Sequence, residues 1–311
     1  MFGENGSGKT TVLEGISLIS LGRSFKTINA KNYIKRNTQG YNVLGKISKS
    51  TEIEVKGSLA RKTIQVNKNI IEKISKHITQ FPTIVHTPEE SVLEGKNNNI
   101  RNAAINKHIC LYSKKYLQTI QEFQTILKQR NKALKSLQKT EPWDKLLIDY
   151  SKTIWKEKEE YENIINKEME INQAEHKAPK TAIKIKGIIQ DVEKIKQKIK
   201  ESKEVEYKKG YTVIGPHKDV IQYFLEEEEI KTTASQGEKS LFFSILKKAE
   251  AQTIKKKSQK EPIILLDDIF SKLDKKNIEK ILSLFKKNTQ TIITHTDKIN
   301  TEEINEININ D

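Results

Sequence analysis

The sequence predicts an α/β protein in which a mixed sheet and a small antiparallel sheet are interrupted by an inserted α-helical arm. Three observations predict it. A glycine-rich segment, Gly3-Glu4-Asn5-Gly6-Ser7-Gly8-Lys9-Thr10, stands directly before apolar residues at helical spacing. A wholly apolar run, Ile263-Ile264-Leu265-Leu266, ends in Asp267-Asp268. Between them, residues 101–204 are dominated by the period of helices rather than by alternation.

The first segment fits G-x-x-x-x-G-K-[ST], the phosphate-binding loop. Gly3, Gly6 and Gly8 let the backbone form a concave turn whose N–H groups point at phosphate oxygens. Lys9 supplies a point charge to the β- and γ-phosphates, Thr10 offers its hydroxyl to Mg²⁺, and the helix that starts here aims its positive end at the same anion. ATP with Mg²⁺ is the expected ligand. Val12, Leu13, Ile16, Leu18, Ile19 and Leu21 predict that helix, and Gly22 stops it. Such a loop normally hangs from a buried strand, yet only Met1 and Phe2 precede it. The expectation is that translation begins upstream or that the sheet lacks its first strand.

At 311 residues the chain can bury a real core in one large domain or two. The single Cys110 excludes an internal disulfide framework, and no Cys and His cluster has zinc-ligand spacing, so a reducing cytoplasm is the natural compartment. No apolar run approaches the ~18 residues of a membrane span, and the N-terminus has no signal-peptide pattern, so no membrane role is expected. Lysine and arginine number 56 against 41 acids, a net charge of +15, which favours a polyanionic partner such as nucleic acid. Lysine, isoleucine and asparagine are abundant throughout, so charge alone does not decide the partner.

After Gly22, Arg23-Ser24-Phe25-Lys26 is a basic stretch beside the nucleotide site, either a DNA contact or a solvated loop. Residues 41–70 alternate polar and apolar, with Asn67-Lys68-Asn69 as a turn, and predict the small antiparallel sheet. Phe81 to His86 predicts a buried strand closed by Pro88, with Glu89-Glu90 opening a helix. Tyr116, Ile120, Phe123, Leu127, Leu134 and Leu137 share one helical face; Thr140-Glu141-Pro142 breaks it, and a second helix carries Leu146, Leu147, Tyr150, Ile154, Tyr161 and Ile165. The pair reads as a helical hairpin or arm, or as two core helices of an ordinary domain. Residues 187–206 predict a Lys-rich helix with a solvated face. Tyr211 to Ile214 is expected as a strand, Gly215-Pro216-His217-Lys218-Asp219 as a loop and residues 220–234 as a strand or hairpin. Ser235-Gln236-Gly237-Glu238 opens a helix with a second potential anion cradle at its N-terminus. Beyond it, Asp267 at a buried strand end suits Mg²⁺, and Asp268 is able to position water. Ser271-Lys272-Leu273-Asp274 leads into a helix to about Lys287, then the strand Thr291–Thr294 ends at His295, within reach of a γ-phosphate. The tail from Asn300 is expected to fray.

The order of loop, Ser-x-Gly-Glu helix, paired Asp, Ser-x-Leu-Asp and strand-His resembles the ATP-binding cassette ATPases. The resemblance implies a P-loop ABC-type ATPase head, residues 1–100 and 205–311, with the arm at 101–204. It also implies that ATP is sandwiched between two subunits. Ser235, Gln236 and Gly237 of one copy would meet the γ-phosphate bound by the other's loop. Asp267 would hold Mg²⁺ with Thr10, and Asp274 would lie in the interface loop. Asp268, Lys9, His295 and, in trans, Ser235 would form the catalytic set. The signature follows Thr10 by 225 residues, far later than in transport cassettes. Finer matches resemble the RecF family of recombinational repair proteins: Leu13-Glu14, Leu21-Gly22-Arg23-Ser24-Phe25, Thr87-Pro88-Glu89-Glu90 with Gly95, Gln129-Arg130-Asn131, Trp143-Asp144, Gly215 to Asp219 and Asp267-Asp268. That resemblance implies an ATP-dependent homodimer that binds DNA at single-strand gaps and junctions. It would act with the RecO and RecR proteins to help load recombinase, and would be released by ATP hydrolysis.

Three departures stand against the pattern. The family's opening segment is absent, Glu238 and Lys239 replace the usual Gln and Arg of the signature helix, and the paired Arg expected after Gly95 shrinks to Arg101. They leave open a DNA-binding or scaffold protein with a degenerate, non-hydrolysing cassette.

Overall fold

The computed structural model describes residues 1–309 apart from 28, 231–233, 272, 286–288 and 299–304. Cα packing divides the chain into two compact units, one of Met1–Ser91 with Ser235–Asp311 and one of Val92–Ala234.

In the first unit, α1 (Lys9–Leu21) follows the glycine loop directly. Gly22 ends it at φ 66°, its N–H on the Leu18 carbonyl, and a Cβ there would strike Ile74 and Ile64. The alternating stretch forms β1 (Gly40–Ser48), β2 (Thr51–Ser58), β3 (Lys62–Val66) and β4 (Asn69–Ile70), antiparallel in sequential order. Asn67 and Lys68 both take positive φ, the twist that a two-residue hairpin turn demands. Alternation aims Ile53, Val55 and Ile64 at Ile19 of α1, which closes one core. Next come α2 (Ile74–Ile78), β5 (Thr83–His86) and α3 (Pro88–Lys96), whose start carries Glu89 and Glu90.

The second unit continues with α4 (Asn98–Tyr112), α5 (Lys114–Lys135), α6 (Glu141–His176), β6 (Thr181–Lys186), α7 (Val192–Lys209), β7 (Val220–Leu225) and β8 (Glu228–Glu229). Pro142 falls in the first turn of α6, where its missing N–H costs nothing. The strands pair antiparallel in the order β6-β7-β8. β6 was not foreseen, although Thr181-Ala-Ile-Lys-Ile-Lys186 buries alternate residues. Conversely, Tyr211 to Ile214 is not a strand. Thr212 donates its N–H to Asn131 Oδ1 (2.8 Å) and Val213 to Glu206 Oε1 (2.8 Å), so side chains take the donors a ladder would need.

Two buried ionic knots explain several sequence motifs of this unit. Arg130 donates from Nε to Asp144 (2.8 Å), from one terminal nitrogen to Glu206 (2.7 Å) and from the other to Thr212 Oγ1 (2.8 Å). Lys158 donates to Asp219 Oδ2 (2.6 Å), Asn102 Oδ1 (2.8 Å) and the Pro216 carbonyl (2.9 Å), while Trp155 Nε1 donates to Asp219 Oδ1 (2.8 Å). Burial pushes the Asp219 carboxyl up and the Lys158 ammonium down, each opposed by the attraction of its partner. The Gly215–Asp219 segment is thus a packing device of this unit.

The first unit resumes with α8 (Gln236–Ser258), β9 (Ile263–Asp267), α9 (Lys275–Phe285) and β10 (Thr291–Thr294). β10, β9 and β5 form a parallel sheet in that order. Ile264, Leu265 and Leu266 are fully buried, as a strand covered on both faces requires. Ahead of the loop, Phe2 makes parallel bridges to His295 and Asn308. Phe2 donates its N–H to the Ile307 carbonyl and accepts from Ile309, so residues 307–309 pair with the chain start and do not fray. Lys272, Lys287 and residues 300–304 of the expected tail lie outside the described residues.

Candidate nucleotide site

Gly6 and Gly8 sit at φ 90° and 97°, with no atom within 4 Å of a built Cβ at either. The demand for glycine is therefore conformational, and the space in front of the turn is open to an anion. Gly3 is buried behind it, whereas Glu4 and Asn5 are exposed. No side chain caps α1, so the N–H groups of its first turn remain available. The Ser7 hydroxyl oxygen is buried without a hydrogen-bond partner among the described residues. Lys9 folds back over the turn, donating from Nζ to the carbonyls of Gly3 (2.6 Å) and Glu4 (2.7 Å). An ammonium fixed above a ring of N–H donors fits a polyphosphate.

The paired acids arrive from the other end of the chain. Asp267, at the C-terminal end of β9, is 4% exposed, and its Oδ1 accepts from Thr10 Oγ1 (3.0 Å) and Thr294 Oγ1 (2.8 Å). The Thr10 hydroxyl and the Asp267 carboxylate are hard oxygen donors suited to Mg²⁺. Asp268 is held at φ 50°, a left-handed conformation rare for a residue with a Cβ. Its N–H donates to Thr294 Oγ1 (3.0 Å), and its Oδ1 has no hydrogen-bond partner among the described residues. Burial raises the Asp268 carboxyl above the usual carboxylate range, with nearby His295 pulling the other way. His295 Nδ1 lies 4.0 Å from Asp268 Oδ1, and the ring meets Phe270 edge-on at 5.8 Å. His295 also donates its backbone N–H to the Met1 carbonyl (3.1 Å), tying it to the chain start ahead of the loop.

No family model matches the chain. It is 29% identical to the DNA replication and repair protein RecF of Chlorobaculum parvum, over 96% of this chain and 87% of that one. It is 28% identical to the RecF of Listeria monocytogenes serotype 4b, over 94% and 85%. A solved structure of the recombination mediator protein RecF-ATP in the RecFOR pathway matches with TM-score 0.83 at 25% identity, covering 97% of this chain and 87% of that one. The chain is thus similar to RecF proteins along nearly its whole length.

The remaining predicted residues lie at the starts of α8 and α9. Ser235 caps α8 in a reciprocal box: its Oγ accepts from Glu238 N–H (3.3 Å), and its own N–H donates to Glu238 Oε2 (2.7 Å). Gln236 is exposed, and a Cβ on Gly237 would come within 3.1 Å of Asn277 Nδ2. Asp274 is exposed, and its carboxylate accepts from the backbone and side chain of Asn277 (2.8 and 3.2 Å) at the start of α9. Sequence reasoning gave Thr294 no role beyond ending a strand, yet its one hydroxyl clamps both acids. Its position directly before His295 was the available signal.

Proposed function

We propose that this chain is an ATP-dependent DNA-binding protein of recombinational repair and replication, a recombination mediator switched by nucleotide. The observation that carries the reading is the convergence of Thr10, Asp267, Thr294, Asp268 and His295 at the C-terminal ends of β9 and β10, with the bonded pair Thr10 and Asp267 257 residues apart. The loop N–H groups and Lys9 would hold the phosphates, and Thr10 with Asp267 would hold Mg²⁺. The metal would supply Lewis-acid charge at the terminal phosphates. Asp268, with an unpartnered oxygen and a raised pKa, would orient a water and accept its proton. His295 would sense the terminal phosphate, and Ser235 would donate to it from a second copy of the chain. ATP would thereby join two copies, and its hydrolysis would release them, because a ligand shifts an equilibrium only through differential affinity.

DNA binding at single-strand gaps and junctions, and action with RecO and RecR to load recombinase, would go with the similarity to RecF proteins and agree with the charge of +15. Residues 1–100 with 205–311 would serve as the ATPase head and 101–204 as the arm. Among the described residues no helix is long and apolar enough to cross a membrane. The test is sedimentation and DNA binding with and without ATP–Mg²⁺, beside Lys9→Ala. Dimerisation and a changed DNA affinity, both lost in the variant, support the reading. DNA affinity indifferent to ATP would replace it with a non-hydrolysing scaffold.

A further inference from the structure

We infer that Lys26 is a second phosphate-facing cation of the nucleotide site, supplied by the loop after α1 and held in place by a Glu14–Ser24 latch. The inference rests on the ATP reading above and deepens it, because it assigns recognition of the terminal phosphate of a nucleoside triphosphate to a named side chain.

The loop Arg23-Ser24-Phe25-Lys26 is not loosely solvated. Ser24 is 4% exposed; its hydroxyl donates to the Glu14 carboxylate on α1 and accepts the N–H groups of Lys26 (3.1 Å) and Thr27 (3.3 Å). On the other side, Ser17 Oγ donates to the Arg23 carbonyl (2.8 Å). Both ends of the turn are thus tied to the helix that begins at the phosphate loop. From this turn the Lys26 ammonium lies 3.9 Å from Asp267 Oδ2, while Oδ1 is occupied by Thr10 and Thr294. At 3.9 Å the contact is electrostatic and not a hydrogen bond. The Lys26 side chain is 49% exposed, so its ammonium is free to move onto a stronger anion.

A divalent cation on Asp267 would repel Lys26 from the carboxylate, and the terminal phosphate beside that cation is the anion within its reach. Lys9 covers the loop side of the polyphosphate, so Lys26 adds the facing charge. A diphosphate lacks that terminal phosphate. Lys26 therefore discriminates ATP from ADP, and Ser24 acts as a positioning residue.

The experiment measures equilibrium affinities of a non-hydrolysable ATP analogue and of ADP, both with Mg²⁺, together with nucleotide-driven dimerisation by sedimentation velocity. The wild type is compared with Lys26→Ala, Lys26→Arg and Ser24→Ala. Lys26→Ala should weaken the triphosphate about tenfold or more, the loss of one charge-assisted hydrogen bond, and leave ADP nearly unchanged. Lys26→Arg should restore most of the preference, and Ser24→Ala should erode it with Lys26 present. Equal affinity losses for both nucleotides, or none, overturn the inference, as does a fall in nucleotide-free DNA affinity with the preference intact. A wild type that binds neither nucleotide overturns the ATP reading itself.

Discussion

Replacing Thr294 by Val removes one hydroxyl from a fully buried site and leaves its volume almost unchanged. That hydroxyl makes two bonds at once, donating to Asp267 Oδ1 at 2.8 Å and accepting from the Asp268 N–H at 3.0 Å. A bond to an ionised partner contributes ~1.5–3 kcal/mol, and a buried donor left bare costs ~1–3 kcal/mol. Allowing for relaxation, Thr294→Val should destabilise the first unit by about 2–4 kcal/mol. Asp268 would also lose the anchor of its left-handed backbone, and a misplacement of ~1 Å can cost about a hundredfold in turnover. Far-UV circular dichroism in urea is the suitable probe, because Trp143 and Trp155 both lie in the second unit. Thr294→Ser keeps the hydroxyl and should retain most of the stability and turnover. A Val variant within ~0.5 kcal/mol of wild type, or a Ser variant equally damaged, would refute the reasoning.

Lys158→Met strands the Asp219 carboxylate, which is 2% exposed, and should cost ~3–5 kcal/mol in the second unit; an unshifted tryptophan-fluorescence midpoint in urea would contradict this. Burial holds His217 neutral, with its pKa lowered from 6.5 to about 4. As pH falls below 6.5 the unfolded chain gains a proton that the folded unit refuses until about pH 4. Stability should therefore fall by about 2 kcal/mol between pH 7 and pH 5, and His217→Gln should flatten the slope of the urea midpoint against pH. Glu238→Gln preserves an acceptor for the Ser235 N–H but removes a negative charge from the start of α8; if that helix meets the partner's ATP, ATP-driven dimerisation should tighten, and an unchanged or weaker dimer by sedimentation would count against a trans role for α8.

Contiguous features were legible because their cause is local. Glycines at positive φ in the phosphate loop, the apolar strand running into Asp267-Asp268, the helix start at Ser235 and the alternation of residues 41–70 each follow from a few neighbouring residues. Where local preference misled, distant side chains had intervened. Tyr211 to Ile214 has the composition of a strand, but Asn131 and Glu206 capture its donors. The tail looked frayed in composition, but Phe2 pairs with it across nearly the whole chain.

By itself, the sequence determined which chemistry this protein carries: an anion-binding turn, a lysine, a hydroxyl and two carboxylates, each at the end of an element whose type follows from local pattern. Only the tertiary structure decided their arrangement. Thr10 meets Asp267, Thr294 clamps both acids, Lys26 turns toward Asp267, and Pro216 and Asp219 of the Gly215–Asp219 segment prove to be buried scaffolding. The physical reason is that hydrogen bonds and charge pairs act over a few ångströms of space, whatever the distance along the chain.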